Sequence, residues 1–94
     1  MAEYTNLARR YVVRGRVQGV GFRYFVQQAG TRLKVGGWVK NRADGSVEAH
    51  AEGPPEALAA FREALGKGPP LSRVDAIHES PTTTGGDGVF RIVS

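Results

Sequence analysis

The sequence of 94 residues contains no cysteine. Disulfide bonds, thiolate catalysis and cysteine zinc sites are therefore excluded, and the composition suits a reducing compartment. No apolar run approaches the ~20 residues that a membrane-spanning helix requires, and the first residues lack the apolar core of a signal peptide. We therefore expect a protein that stays in the cytoplasm and binds no membrane.

Acidic residues are missing from a long part of the chain. No Asp or Glu occurs between Tyr4 and Ala43, whereas nine of the thirteen Lys and Arg residues lie between Arg9 and Arg42. Such a cationic half favours a phosphate-bearing partner, either a small molecule or a nucleic acid. A solvated basic surface with no ligand is the alternative.

The chain is too short to build two hydrophobic cores, because chains of this size bury only roughly 60–65% of their unfolded surface. We therefore predict a single domain over residues 1–94, with residues 1–7 flexible. Neither an internal repeat nor a linker interrupts it.

The first half of the sequence has the pattern of a strand, a glycine loop, a helix and a second strand. Alternation over residues 10–17 predicts a half-buried strand with Tyr11 and Val13 facing inward. Apolar residues then recur on one helical face over residues 22–33, which predicts a helix. Residues 35–41 are typical of a strand.

A hairpin and a second helix follow. The turn signal Ala-Asp-Gly at 43–45 precedes an alternating strand at 46–52. Two prolines then open a helix with an apolar stripe, for which Gly66 is the expected C-cap.

The last part of the sequence contains two further strand patterns. Residues 73–80 have a weak strand pattern, and residues 89–93 predict a final strand with Phe90 and Ile92 facing inward. The order βαββαβ with an additional short strand predicts an α+β fold. We expect a ferredoxin-like two-layer sandwich, with a mainly antiparallel sheet covered on one face by two helices.

The glycine loop has the composition of an anion site. Gly15, Gly19 and Gly21 can turn successive N–H groups inward, and the following helix adds unpaired N–H donors. Arg23 offers a planar cation that matches phosphate oxygens. Asn41 should lie on the same rim of the sheet, about 9–10 Å from the first strand if one strand lies between them. The alternative is that the glycines only form a tight turn.

Two motifs together identify a family. Residues 15–23, GRVQGVGFR, and residues 37–41, GWVKN, resemble both signature stretches of acylphosphatases, and Gly45 and Gly53 fit the same pattern. The resemblance covers nearly the whole chain, and that family's ferredoxin-like fold agrees with the predicted element order.

The resemblance implies that the chain hydrolyses acyl phosphates to a carboxylate and inorganic phosphate, without a metal or cofactor. It also implies that Arg23 is catalytic and binds the phosphoryl group together with main-chain amides, and that Asn41 positions the attacking water. The loop residues that would supply these amides are Gln18, Gly19, Val20, Gly21 and Phe22. Since relatives often carry an aromatic residue at position 21, the acyl side of this site should be more open.

The implied partners are an acyl phosphate substrate and inorganic phosphate, which is both product and competitive inhibitor. We expect a monomer that binds no nucleic acid. His50 and His78 are interpreted as surface residues without a carboxylate at a telling spacing, and Asp44 as a structural turn residue. Trp38 should either pack under a helix or flank the substrate.

Two other functions remain open at this point. The basic half and the predicted fold also suit a nucleic-acid-binding module, although no aromatic-rich stacking segment is present. A third hypothesis is a regulatory or carbamoyl-phosphate-handling unit, like the acylphosphatase-like domains of hydrogenase-maturation proteins.

Overall fold

The structure of the protein, a computed structural model, describes residues 6–94. Its elements are, in chain order, β1 (Leu7–Arg16), α1 (Phe22–Leu33), β2 (Gly36–Asn41), β3 (Val47–Gly53), α2 (Pro55–Lys67), β4 (Arg73–Pro81) and β5 (Phe90–Ile92). Of the segment predicted to be flexible, residues 1–5 lie outside the described residues, and Leu7 already belongs to β1. Neither helix in residues 6–94 is long and apolar enough to cross a membrane.

The five strands form one mixed sheet in the order β4-β1-β3-β2-β5. β3 is antiparallel to both of its neighbours, β1 and β2, so β1 and β2 run in the same direction. β5 is parallel to β2 and is the additional short strand. The predicted ferredoxin-like α+β fold is confirmed, including the single strand that separates β1 from β2.

The core lies between one face of this sheet and the two helices. Tyr11, Val13 and Val39 are completely buried on that face. The ring of Phe61 on α2 packs against Tyr11, with 5.6 Å between ring centroids, and against Phe90 of β5 at 5.5 Å. These aromatic contacts connect the second helix to two strands, β1 and β5, that lie on opposite sides of β3 in the sheet.

The second helix begins as predicted and ends later than predicted. Pro55 lies in its first turn, where a missing N–H is tolerated. Gly66 is not the C-cap, because the helix continues to Lys67. Gly68 caps it instead, with φ 65° and its N–H donated to the carbonyl oxygen of Ala64 at 3.0 Å. Of the two nearby glycines, the one with a positive φ angle ends the helix, and the spacing of apolar residues in the sequence does not predict that angle.

The expectation for the last strand is only half correct. Phe90 is buried, but Ile92 is 39% exposed. β5 is an edge strand of three residues, and no further strand formed by residues 6–94 covers its outer side. Ile92 lies beside Val39 of β2 on this edge of the sheet.

Tyr11 carries a buried hydroxyl that has no hydrogen-bond partner among residues 6–94. An unpaired buried hydroxyl costs about 1–3 kcal/mol of desolvation. We therefore expect Tyr11→Phe to keep or raise the free energy of unfolding at pH 7, measured by urea denaturation. The control is Tyr24→Phe, whose ring is 63% exposed, and it should change stability by less than about 0.5 kcal/mol.

The same hydroxyl gives this prediction a pH dependence. Burial raises the pKa of Tyr11 to about 12. The Tyr11 hydroxyl loses its proton near pH 10 in the unfolded chain but only near pH 12 in the folded protein. The free energy of unfolding therefore falls as the pH rises from about 10 to about 12. The Tyr11→Phe variant should lack this part of the alkaline loss. An identical alkaline loss in both proteins would contradict the assignment.

Candidate active site

A cavity of about 240 Å³ opens at the rim where β1 and β2 end and α1 begins. Its lining combines residues of the loop, the helix and three strand ends: Val17, Gly19, Gly21, Phe22, Arg23, Tyr24, Asn41 and Ile92. The two predicted catalytic residues, Arg23 and Asn41, therefore lie at the same cavity. The parallel direction of β1 and β2 is what brings them together.

The loop between β1 and α1 lines this cavity with Gly19 and Gly21. Gly19 and Gly21 have φ angles of 74° and 79°, in the left-handed region that glycine adopts without strain. Gly21 is the N-cap of α1, and no side chain in the described part of the chain caps the helix there. The first turn also contains no acidic residue. The first N–H groups of a helix have no partner within it, so this end of α1 attracts an anion.

Gly15 does not line this cavity, contrary to our expectation that it contributes to an anion site with Gly19 and Gly21. It lies in β1, opposite Val74 of β4, beside an irregularity in the strand pairing. Its φ is 133°, and a Cβ atom there would overlap the carbonyl oxygen of Arg73. Glycine is required at this position by the close approach of two strands, which is a contact that the sequence motif does not reveal.

Arg23 is the second residue of α1 and is partly exposed. Among residues 6–94, no carboxylate forms a salt bridge or hydrogen bond with its guanidinium group. Its charge is therefore available to a ligand of the cavity, and its fork of N–H donors matches the oxygens of a phosphate.

Asn41 is the last residue of β2. Its Oδ1 atom is buried and has no hydrogen-bond partner among residues 6–94. The strand pairing places Asn41 opposite Val47, which in turn lies opposite Val13 of β1. A buried acceptor without a protein partner is uncommon and is a candidate for binding water or ligand.

Gln18 contributes to the loop in a way that the motif did not indicate. Its side chain does not line the cavity. Instead, Nε2 donates to the carbonyl oxygens of Arg42 at 2.8 Å and Ser46 at 2.9 Å. The amide thus ties the glycine loop to the turn between β2 and β3. Val20 is also absent from the lining and packs against the hydrophobic core.

Three lining residues were missed by the sequence analysis: Val17, Tyr24 and Ile92. Tyr24 follows Arg23 in the first helical turn, so its position in the chain could have indicated it. Ile92 reaches the cavity only because β5 pairs with β2 in parallel, which no local pattern predicts.

The predicted surface residues lie outside the cavity. His50 does have a carboxylate partner, contrary to our interpretation, because Glu48 lies two residues away on the same face of β3. Its Nε2 is 3.1 Å from Oε2 of Glu48. The ring of His50 also stacks on Trp38, with 4.1 Å between centroids. Trp38 therefore lies on the sheet face opposite the helices, so it does not pack under one.

Asp44 has the structural role that we predicted. Its Oδ1 accepts hydrogen bonds from the hydroxyl and the main-chain N–H of Ser46. Its Oδ2 lies 3.2 Å from Nη1 of Arg14. The hydrogen bonds from Ser46, followed by the hydrogen bond from Arg14 and the charge of Arg42, hold the pKa of this carboxyl well below its usual range. Asp44 is therefore a fixed anion of the turn and not a proton acceptor at neutral pH.

The two hydrogen bonds that Gln18 donates should stabilise the folded protein. We expect Gln18→Ala to lower the free energy of unfolding by about 1–3 kcal/mol, because two hydrogen bonds between the loop and the turn are lost, although each carbonyl oxygen keeps one main-chain donor. Gln18→Glu should lower it at least as much, since a carboxylate oxygen would then face two carbonyl oxygens. Urea denaturation measures both changes. The control is Gln28→Ala on the exposed face of α1. Equal stability of the Gln28 and Gln18 variants would show that the hydrogen bonds of Gln18 do not stabilise the protein.

Comparison with known proteins assigns the chain to a family. Residues 9–92 match the acylphosphatase family. The acylphosphatase of Nitrobacter hamburgensis is 45% identical over 86 residues, which cover 92% of this chain and 87% of the relative. That of Bacillus subtilis is 58% identical over 71 residues, which cover 76% and 78%.

A solved structure agrees with this assignment. The crystal structure of acylphosphatase from Bacillus subtilis superposes with a TM-score of 0.88 at 49% identity and covers 94% of this chain and 99% of its own. As the two sequence motifs predicted, the chain belongs to the acylphosphatase family, and it is an enzyme that hydrolyses the carboxyl-phosphate bond of acyl phosphates.

Proposed function

We propose that the substrate's phosphoryl group binds between Arg23 and the main-chain amides of residues 18–22, and that Asn41 positions the attacking water. A single observation carries this proposal. An arginine without a carboxylate partner and a buried carboxamide oxygen without a hydrogen-bond partner line the same cavity, within residues 6–94. The start of α1 supplies further donors at that place.

The reaction then proceeds as a direct displacement at phosphorus. The water oxygen forms a bond to phosphorus, and the bond between phosphorus and the acyl oxygen breaks. The carboxylate leaves with the electron pair of that bond. Arg23 and the loop amides stabilise the charge that the equatorial phosphate oxygens carry in the transition state.

A side-chain base is not required by this scheme. Among residues 6–94, no carboxylate or imidazole lines the cavity, and the amide of Asn41 is not basic at neutral pH. We propose that the proton of the attacking water passes to an oxygen of the substrate's own phosphate. Because a carboxylate is a good leaving group, positioning of the reactants and charge stabilisation carry the catalysis. The guanidinium takes the place that metal ions have in other phosphoryl-transfer sites, so we propose that no metal or cofactor takes part.

We also propose that the enzyme acts in the cytoplasm as a monomer and as one domain over residues 1–94, without nucleic acid. The continuous core between the sheet and both helices supports the single domain.

On the sheet face opposite the helices, burial disfavours the charged form of Glu48. Hydrogen bonds from Arg10 and His50 outweigh this effect and hold its pKa below the usual range. Paired acids and bases there give a nucleic acid no continuous cationic surface.

The first test removes the anion-binding cation. We expect Arg23→Ala to weaken competitive inhibition by inorganic phosphate about 100-fold or more and to lower turnover of benzoyl phosphate, because two charge-assisted hydrogen bonds contribute about 1.5–3 kcal/mol each. Arg23→Lys should restore part of the affinity, since it keeps the charge without the fork. The control is Arg16→Ala, which removes a charge near the loop but outside the cavity lining. Equal phosphate inhibition in the Arg23 and Arg16 variants would refute the proposed anion site.

The second test separates water positioning from binding. We expect Asn41→Ala to lower kcat for benzoyl phosphate about 100-fold, the range seen when a transition-state hydrogen bond is removed, while phosphate inhibition changes little. The variant should also keep or gain stability, because it removes a buried oxygen without a partner. A normal kcat, or a large loss of stability, would show that Asn41 is a structural residue.

A further inference from the structure

A second cavity, of about 300 Å³, opens on the sheet face opposite the helices, and we call it the basic cavity. Its lining residues are Arg10, Val12, Arg14, Arg42 and His78. The three that belong to β1 alternate with Tyr11 and Val13, which are buried in the core, so they lie on the opposite face. Within residues 6–94, no acidic side chain lines the basic cavity, and it shares no lining residue with the cavity at Arg23. The two cavities are therefore separate.

The carboxylates near the basic cavity occupy few of its arginine donors. Nε of Arg10 donates to Glu48 at 2.7 Å, and Nη1 of Arg14 donates to Asp44 at 3.2 Å. The guanidinium nitrogens of Arg42 lie 3.7 Å from Glu48 and 3.8 Å from Asp44, which is too far for a hydrogen bond. Each guanidinium group carries several N–H donors. In the described part of the chain, most donors of these three arginines therefore have no acceptor.

The pairing with carboxylates also leaves positive charge at the basic cavity. Its three arginines share only two carboxylates, those of Glu48 and Asp44. His78, which lies opposite Val12 on β4, is exposed and adds a ring nitrogen donor. Guanidinium groups with free donors bind phosphate oxygens through paired hydrogen bonds. The lining therefore suits a ligand that carries phosphate groups.

The arrangement of these charges limits the length of the ligand. Arg10 and Arg14 lie in one strand, with Cα atoms about 13 Å apart at the usual rise per residue, and His78 lies opposite the position midway between them. A single phosphate group reaches only part of this row, whereas linked phosphate groups reach several of its donors. Across the sheet, Glu48 lies between β1 and Lys40 of β2, so the basic surface does not continue in that direction.

We propose that the basic cavity is a second anion site, which binds a short chain of linked phosphate groups separately from the substrate. Inorganic tripolyphosphate and the triphosphate of a nucleotide have this chemistry. The phosphate oxygens take the free donors of Arg10, Arg14 and Arg42, in competition with Glu48 and Asp44. Since Arg42 directly follows Asn41 in the chain, the second site lies beside the active site but opens on another face.

The test measures binding of tripolyphosphate by isothermal titration calorimetry at low ionic strength without metal ions. Arg14→Gln should weaken binding about tenfold or more, because it removes a charge-assisted contact. Arg14→Lys should keep part of the affinity, since it keeps the charge. The matched control is Arg62→Gln, which removes the same charge from an exposed arginine that also pairs with a carboxylate, Glu79, but lies on α2. This control should leave the affinity unchanged.

A second substitution should change the affinity in the opposite direction. Glu48→Gln keeps the size of the side chain and removes the negative charge that competes for Arg10 and Arg42. We therefore expect Glu48→Gln to bind tripolyphosphate more tightly than the wild-type protein. Partial unfolding cannot produce both results, because it lowers affinity in either variant. Failure of Arg14→Gln to weaken binding, or weaker binding by Glu48→Gln, would overturn the second anion site.

The Arg23→Ala variant tests whether the two sites are separate. It should still bind tripolyphosphate, because Arg23 does not line the basic cavity. If Arg23→Ala abolishes this binding and Arg14→Gln does not, tripolyphosphate binds at the active site and the proposal is wrong.

Other ligands identify which part of the molecule is recognised. ATP should compete with tripolyphosphate for the same site whether or not its nucleoside adds affinity, and AMP, with a single phosphate group, should bind more weakly than ATP. Equal affinity for AMP and ATP would contradict recognition of linked phosphate groups. A single-stranded oligonucleotide that binds through Arg14 more tightly than tripolyphosphate would show that the site takes a nucleic acid and not a short polyphosphate.

Discussion

The antiparallel pairing of β3 with both β1 and β2 is the constraint on which the site depends. It makes β1 and β2 run in one direction, so that the glycine loop and Asn41 reach the same rim. The amide of Gln18 then connects the loop to the turn at the end of β2. Strand order sets the distance across the site, and the side chain of Gln18 connects the loop to the end of the sheet.

The same arrangement explains why the cationic half of the sequence does not form a uniform basic surface. Acids from the second half pair with many of its arginines: Arg9 with Glu79, Arg10 with Glu48, and Arg14 with Asp44. Arg23 has no such partner among residues 6–94. Folding thus neutralises much of the excess positive charge and leaves a guanidinium free at the cavity, where the start of α1 adds its own positive end.

Much of this architecture could be predicted from the sequence, because strands, helices and turns here follow local patterns and their order allows few topologies. Arg23 and Asn41 were found because two separate motifs are specific together. The role of Gly15, the cap at Gly68 and the exposure of Ile92 could not be predicted. Each depends on a φ angle or on a contact with a strand distant in sequence, such as Arg73 beside Gly15. The roles of Arg23 and Asn41 remain predictions from motif and geometry.

Trp38 has a practical consequence for studies of this enzyme. It is the only tryptophan of the sequence, and its ring stacks on His50 on the face of the sheet away from the helices. Its fluorescence therefore reports on the contact between β2 and β3 and not on occupancy of the cavity. Emission at one wavelength can follow loss of the folded sheet while substrate turnover is recorded in the same sample, so the two signals stay independent.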